Sequence, residues 1–288
     1  MTALFALATS LLWGLADFGG GMLTRRFPAL TVVVVSQTIA AVVLGVVVTV
    51  AGGWGDTSPR LWFAVAAGAV GPVAMLAFYK ALALGPMGVV SPLGSLGVAV
   101  PVALGLVLGE RPGLAQVAGI AVAVAGVVLA GGPQWRGAPV QRRAIALTLL
   151  AAVGFGAVMA LISEASTSVP GLFLALFVQR VTNVAVGGAA LVRSVRRGNP
   201  ALPSDVTAHA LWSTMPALTF VGLADVAANG TYAVAAQHGP VTVAAVLASL
   251  YPVVTALAAR GVLSERLRGV QAAGAGLALV GAVLLASG

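Results

Sequence analysis

The sequence predicts an all-α integral membrane protein of ten transmembrane helices, arranged as two inverted five-helix repeats. Three observations predict it: an apolar composition, ten apolar runs of bilayer length, and an internal repeat. Of 288 residues, 60% are hydrophobic and 8% charged, with a mean hydropathy of +1.06. A soluble domain carries about 25% charged residues. This chain therefore lacks the polar surface to cover a water-facing globule.

About 20 apolar residues cross the hydrocarbon core as a helix. Such runs fall at roughly 2–23, 29–51, 61–83, 87–109, 113–131, 143–163, 170–192, 210–235, 240–262 and 267–287. Short turns with Gly, Pro or charge separate them, and 193–209 is the one longer connector. Backbone groups in lipid must be bonded within their own segment, so the spans are read as helices. A barrel needs short alternating segments, and these runs do not alternate. No basic start precedes the first run; Arg25 and Arg26 follow it instead. That run reads as a retained helix rather than a secretory signal.

The repeat is carried by rare polar types. "VLGERPGLAQVAGIAVAVAGVVL" at 107–129 lies against "VLSERLRGVQAAGAGLALVGAVLL" at 262–285 with a shift of 155. Glu110/Glu265, Arg111/Arg266 and Gln116/Gln271 coincide, where matches of Ala, Val, Leu or Gly would be cheap. The turns Gly85–Pro86 and Gly239–Pro240 correspond at a shift of 154, and Gly14/Gly156 and Gln37/Gln179 at 142. The connector at 193–209 absorbs the difference. The expected units are residues 1–131, a linker at 132–142, and residues 143–288. Five helices per half is an odd number, so the second half enters the membrane from the opposite face. Inverted repeats of this kind are typical of secondary transporters, with the substrate site at the repeat interface near the midplane.

Arginines set the expected orientation. With both termini outside, eleven fall in cytoplasmic loops and two, Arg60 and Arg111, on the other side. Cytoplasmic loops are the ones enriched in basic residues. The net charge of +8 and pI near 11.5 thus read as topology signals. No nucleic-acid partner is expected. The chain has no cysteine and two separated histidines, His209 and His238. No disulfide, metal or other cofactor is expected. No phosphate-binding loop, H-E-x-x-H or nucleophile elbow is present, so no enzyme is expected.

Charged side chains inside a span are costly and usually face a cavity or a partner. Asp17, Arg180 and Asp225 are well inside, whereas Lys80 and Glu164 lie near span ends. Helical spacing of three and four sorts their company. Ser10, Trp13 and Asp17 share one face of the first span. Arg180 and Asn183 share a face of the seventh, with Gln179 beside Asn183. Asp225, Asn229 and Tyr232 form a stripe on the eighth. Met75 and Tyr79 share a face of the third, and Gln37 lies on the second. Aromatic walls with a few placed polar groups suit a small-molecule site. The expected polar lining is Trp13, Asp17, Gln37, Tyr79, Gln179, Arg180, Asn183, Asp225, Asn229 and Tyr232. The competing reading makes Arg180 a structural partner of Asp17 or Asp225, with ordinary packing for the rings. Glu110–Arg111 and Glu265–Arg266 read as capping and loop-pairing groups. Small residues Ala115, Gly119 and Ala123, and Gly274, Ala278 and Ala282, form seams that join two helices of one chain or two chains.

"FYKALALGPMGVVSPLGSLGVAVPVALGLVLGERPGLAQVAGIAVAVAGVVL" (78–129) resembles the repeat unit of the EamA family in the drug/metabolite transporter superfamily. The shared pattern is a Tyr-x-Ala-Leu helix end, a tight turn, a Pro-Val pair, Leu-Gly-Glu-Arg and Gln-x-x-Gly. Residues 232–285 resemble it again, and "LLWGLADF" resembles the family's first-helix opening. The resemblance implies a ten-helix carrier working by alternating access, often exporting amino acids, metabolites or drugs. Some relatives have both termini in the cytoplasm, against the arginine count here. The expectation is a gradient- or ion-driven exporter of the inner (plasma) membrane, monomeric or homodimeric, with proton coupling through Asp17 or Asp225. The alternatives are an importer, or a non-transport scaffold or lipid-modifying protein.

Overall fold

The computed structural model describes residues 1–24, 26–84, 94, 96–130, 142–166, 168–203, 208–263 and 269–287. The helices are α1 (Thr2–Thr24), α2 (Ala29–Val50), α3 (Leu61–Leu84), α4 (Ala99–Val107), α5 (Leu114–Ala130), α6 (Arg142–Glu164), α7 (Val169–Arg196), α8 (Ala208–His238), α9 (Val241–Ala248), α10 (Tyr251–Leu263) and α11 (Gly269–Ser287). Short 3-10 turns occupy Gly53–Gly55 and Leu96–Val98. No strand occurs among the described residues. Five segments there are long and apolar enough to cross a membrane: Thr2–Thr24, Ala29–Val50, Leu61–Phe78, Arg142–Glu164 and Gly171–Arg196. α8, at 31 residues, carries Asp225, Asn229 and Gln237 and is not among them. The chain is an all-helical, multi-pass membrane protein. The turn Gly85–Pro86, the linker, and the pair Glu265–Arg266 lie outside the described residues.

Two spans differ from the sequence reading. The run at 240–262, expected as one helix, is broken at Ser249–Leu250 into α9 and α10. Pro252 has no N–H to return to the Ala248 carbonyl, and its ring disfavours helical geometry just before it. The run at 170–192 continues to Arg196. Arg193 and Arg196 fill its last turn, where cations meet the negative end of the helix dipole. Ser168 caps the other end, accepting from the Gly171 N–H at 3.2 Å.

The packing pairs helices across the two halves. α1 packs on α8 and α3 on α6, α2 on α7, α4 on α9, and α5 on α11. Exchanging the halves converts α1·α8 into α3·α6 and leaves the other three pairings unchanged. The repeat match Gly14/Gly156 acquires a reason here. A Cβ on Gly14 would strike Val254 and the Tyr251 carbonyl (2.8 Å), just past the break before α10. A Cβ on Gly156 would strike the Gly97 carbonyl and Val100 (2.7 Å), at the turn before α4. Each glycine lets a helix lie against the interrupted span beside it. The small-residue seams join α5 to α11 within one chain. Gly126 meets the backbone of Ala278, and Gly281 that of Ala123.

Glu110 does cap a helix, but in the other half. Its carboxylate accepts from the Val241 N–H (2.5 Å), the Thr242 N–H (3.0 Å) and the Thr242 hydroxyl at the start of α9. Glu164 pairs with Arg60 at 2.9 Å, and the same guanidinium bonds the Glu164 carbonyl, tying the end of α6 to the start of α3.

Candidate functional site

α1 is a sorted helix. Leu4, Leu7 and Leu11 are exposed on one side. Ala6, Ser10, Trp13 and Asp17 lie on the other, at steps of three and four, facing the bundle. Ala6 and Ser10 are buried and Trp13 is half-buried, yet Asp17 is exposed. Gly21, one turn further, is also exposed, and a Cβ there would have nothing within 4 Å. Asp17 and Gly21 are thus the exposed positions of this face of α1, beyond Trp13 on the Thr24 side.

Behind that point the polar groups converge on Asp225. It accepts from Trp13 Nε1 (3.1 Å), Gln37 Nε2 (2.8 Å), Arg180 Nη1 (2.7 Å) and Asn229 Nδ2 (3.2 Å). Arg180 Nη1 also donates to Gln37 Oε1 at 2.5 Å. Four helices, α1, α2, α7 and α8, thus hold one carboxylate, two from each half. The Arg180 side chain is 3% exposed and that of Asp225 25%. A buried pair of this kind contributes chiefly to register, because desolvation offsets much of the attraction. Of the two partners the sequence allowed for Arg180, the structure selects Asp225.

Asp17 has no hydrogen bond or ion pair to any described residue. It and Asp225 repel each other across the site, and it acts electrostatically on the Tyr251 hydroxyl. Trp13 stacks on Tyr232 with ring centroids 6.2 Å apart, and meets Tyr251 edge-on at 6.1 Å. Tyr232 is fully buried, and its hydroxyl has no partner among the described residues. Gln179 Oε1, Asn183 Oδ1, Asn229 Oδ1 and Arg180 Nε and Nη2 are likewise buried and unpartnered. Gln179 and Asn183 sit where α7 meets α3: Gly68 abuts the Gln179 carbonyl, and a Cβ on Gly71 would lie 3.1 Å from Asn183 Nδ2. They stand behind the Asp225 cluster rather than in it. The Tyr79 side chain lies outside the described residues.

Tyr251 is the residue that sequence reasoning missed. Its signal was the position directly before Pro252, at the start of a helix within an apolar run.

The other end of the site is closed by contacts between helices. Thr9 and Thr231 hydroxyls bond at 2.9 Å, and Gln237 Nε2 donates to the Ser166 carbonyl at 2.7 Å. Phe5 packs on His238, whose Nδ1 contacts the Val234 carbonyl. An apolar groove of about 760 Å³ runs beside α1 and α8, lined by Leu12, Trp212, Pro216, Phe220, Leu223 and Ala227 among others. It lies on the face of α8 opposite Asp225, and the polar cluster does not line it.

A family model described as the EamA-like transporter family matches residues 1–132 and again 142–287. A solved structure, described only as the crystal structure of a protein, is 20% identical with a TM-score of 0.70. The match covers 98% of this chain and 95% of that one. At that identity the likeness shows the fold alone. No curated protein matches the chain.

Proposed function

This chain belongs to the EamA-like transporter family, and we propose that it is a secondary carrier moving a small metabolite, amino acid or drug by alternating access. The family makes it a membrane transporter of the drug/metabolite type. One observation carries the finer reading: on the same face of α1, Asp17 and Gly21 are exposed, while Thr9 toward the other end is bonded to Thr231 of α8. The site sits where both halves meet, as expected for a carrier whose halves rock about it. Pairings that survive exchange of the halves support an inverted repeat. With the arginine-rich loops in the cytoplasm, the Thr24 end of α1 faces the cytoplasm, and export across the plasma membrane is the direction we assign. Rocking separates Thr9 from Thr231 and closes the path past Gly21. Asp17, without a hydrogen bond or ion pair to any described residue, is the group we assign to proton or substrate exchange. Intramembrane carboxylates serve as proton relays in many carriers.

The scaffold reading draws on the closed Arg180–Asp225–Gln37 cluster, which a solidly packed bundle would also have. A metabolite and drug panel separates the two. Cells overexpressing the wild type should change the medium-to-cell ratio of at least one solute, and Asp17→Asn with Asp225→Asn should abolish that change. Wild-type profiles identical to those of cells without the protein would favour the scaffold. Transport that keeps its full pH dependence in the double variant would remove proton coupling.

A further inference from the structure

The polar site carries an unbalanced negative charge, and we propose that it takes a cationic organic ligand, with its ammonium between Asp17 and the rings of Trp13 and Tyr251. The inference rests on the carrier reading for the ligand's passage, and on the side chains alone for its recognition.

Charge comes first. Among the described residues facing the site, Asp17 and Asp225 are acidic and Arg180 is basic. Arg180 is committed to Asp225 at 2.7 Å. Lys80 does not restore the balance: it is exposed, on the stripe of α3 that carries the exposed Trp62 and Val73. Ionised Asp17 thus has no counter-charge among the described residues, and beside low-dielectric walls an opposite charge is strongly favoured.

The surroundings fit an ammonium better than a carboxylate. Indole and phenol faces attract cations through their quadrupoles, Trp most strongly. Trp13 is one turn from Asp17, and its ring is fixed by stacking on Tyr232 and by the Nε1 bond to Asp225. The Asn229 amide oxygen and the Tyr232 hydroxyl are unpartnered among the described residues, but at 3% and 0% exposed they are closed to an entering ligand. Arg180 also has unpartnered donors, Nε and Nη2, but the residue is 2% exposed, whereas Asp17 is exposed. A ligand entering from the Thr24 end meets the carboxylate and the rings before the guanidinium.

A charge series on one ring size tests this: benzylammonium, benzyl alcohol and benzoate, titrated by calorimetry against the full chain in detergent. Benzylammonium should bind about tenfold or more tightly than either companion. Asp17→Asn should erase that preference, and Asp17→Glu should keep it, with unchanged thermal unfolding as the check on folding. A wild type without cation preference, or an Asp17→Asn variant that retains it, overturns the proposal. Flux into proteoliposomes separates this failure from failure of the carrier reading. Benzylammonium bound but not moved sinks the carrier and leaves the ligand class standing. Neutral or anionic solutes moved without benzylammonium binding do the reverse.

Discussion

Two aromatic pairs occupy matching places in the two halves. Trp13 of α1 stacks on Tyr232 of α8 at 6.2 Å, and Phe155 of α6 meets Phe78 of α3 at 5.8 Å. The repeat shifts of 142 and 154 put Trp13 opposite Phe155 and Tyr232 opposite Phe78. The frame is shared, but the chemistry is not. Asp17 corresponds to Met159, Asp225 to Gly71, and Asn229 to Met75. Duplication supplied two equivalent helix pairs, and one of them carries both acidic groups of the site, Asp17 and Asp225. The acidic groups of the candidate site therefore lie on the α1·α8 pair, and Gln37 and Arg180 reach Asp225 from α2 and α7.

Breaking the charged pair should have the largest effect. Asp225→Ala leaves the Arg180 side chain, 3% exposed, without its counter-charge. Loss of one partner of a buried pair costs about 3–5 kcal/mol. Thermal unfolding in detergent should drop accordingly, and Arg180→Gln with Asp225→Asn should recover most of it. Met75→Leu on the matching face of α3 should cost less than about 1.5 kcal/mol.

Copying the charge across the repeat sharpens the contrast. Met159→Asp buries a carboxylate at a site 7% exposed, with no arginine beside it in sequence register. Its cost should be about 2.5–3.5 kcal/mol, read as lower membrane yield, with no gain in transport. Asp17→Met should fold well and lose transport.

The shared frame should respond alike in both halves. Gly14→Val and Gly156→Val each force a side chain into backbone. Each should cost about 1–3 kcal/mol in unfolding assays, since overpacking is penalised. A large difference between them would show that the frame is less symmetric than its glycines suggest. The smallest effect is expected from Glu110→Ala, which removes the cap from α9. A lost cap costs about 0.5–2 kcal/mol.

Much of this was legible before the structure. Hydropathy located the long helices to within a few residues, because lipid leaves the backbone no alternative to the helix. Spacing of three and four put Trp13, Arg180, Asp225 and Asn229 on polar faces, Gln37 was placed only on the second span, and all five meet. Spacing orders one helix, however, and says nothing of which helix lies opposite. The choice of Asp225 over Asp17 by Arg180 was therefore open. So was the capping of α9 by Glu110, a residue 131 positions away from Val241. The break at Ser249–Leu250 hid inside an unbroken apolar run, and Tyr251 was overlooked with it.

In the proposed carrier, Asp17 is reached from one side only. The chain has no cysteine, so a single thiol reports it directly. Gly21→Cys lies one turn beyond Asp17, in open space. A membrane-impermeant maleimide should label it in inside-out vesicles, from the cytoplasmic face, and leave it unlabelled in right-side-out ones. Labelling from the outer face, or from neither, would contradict the account.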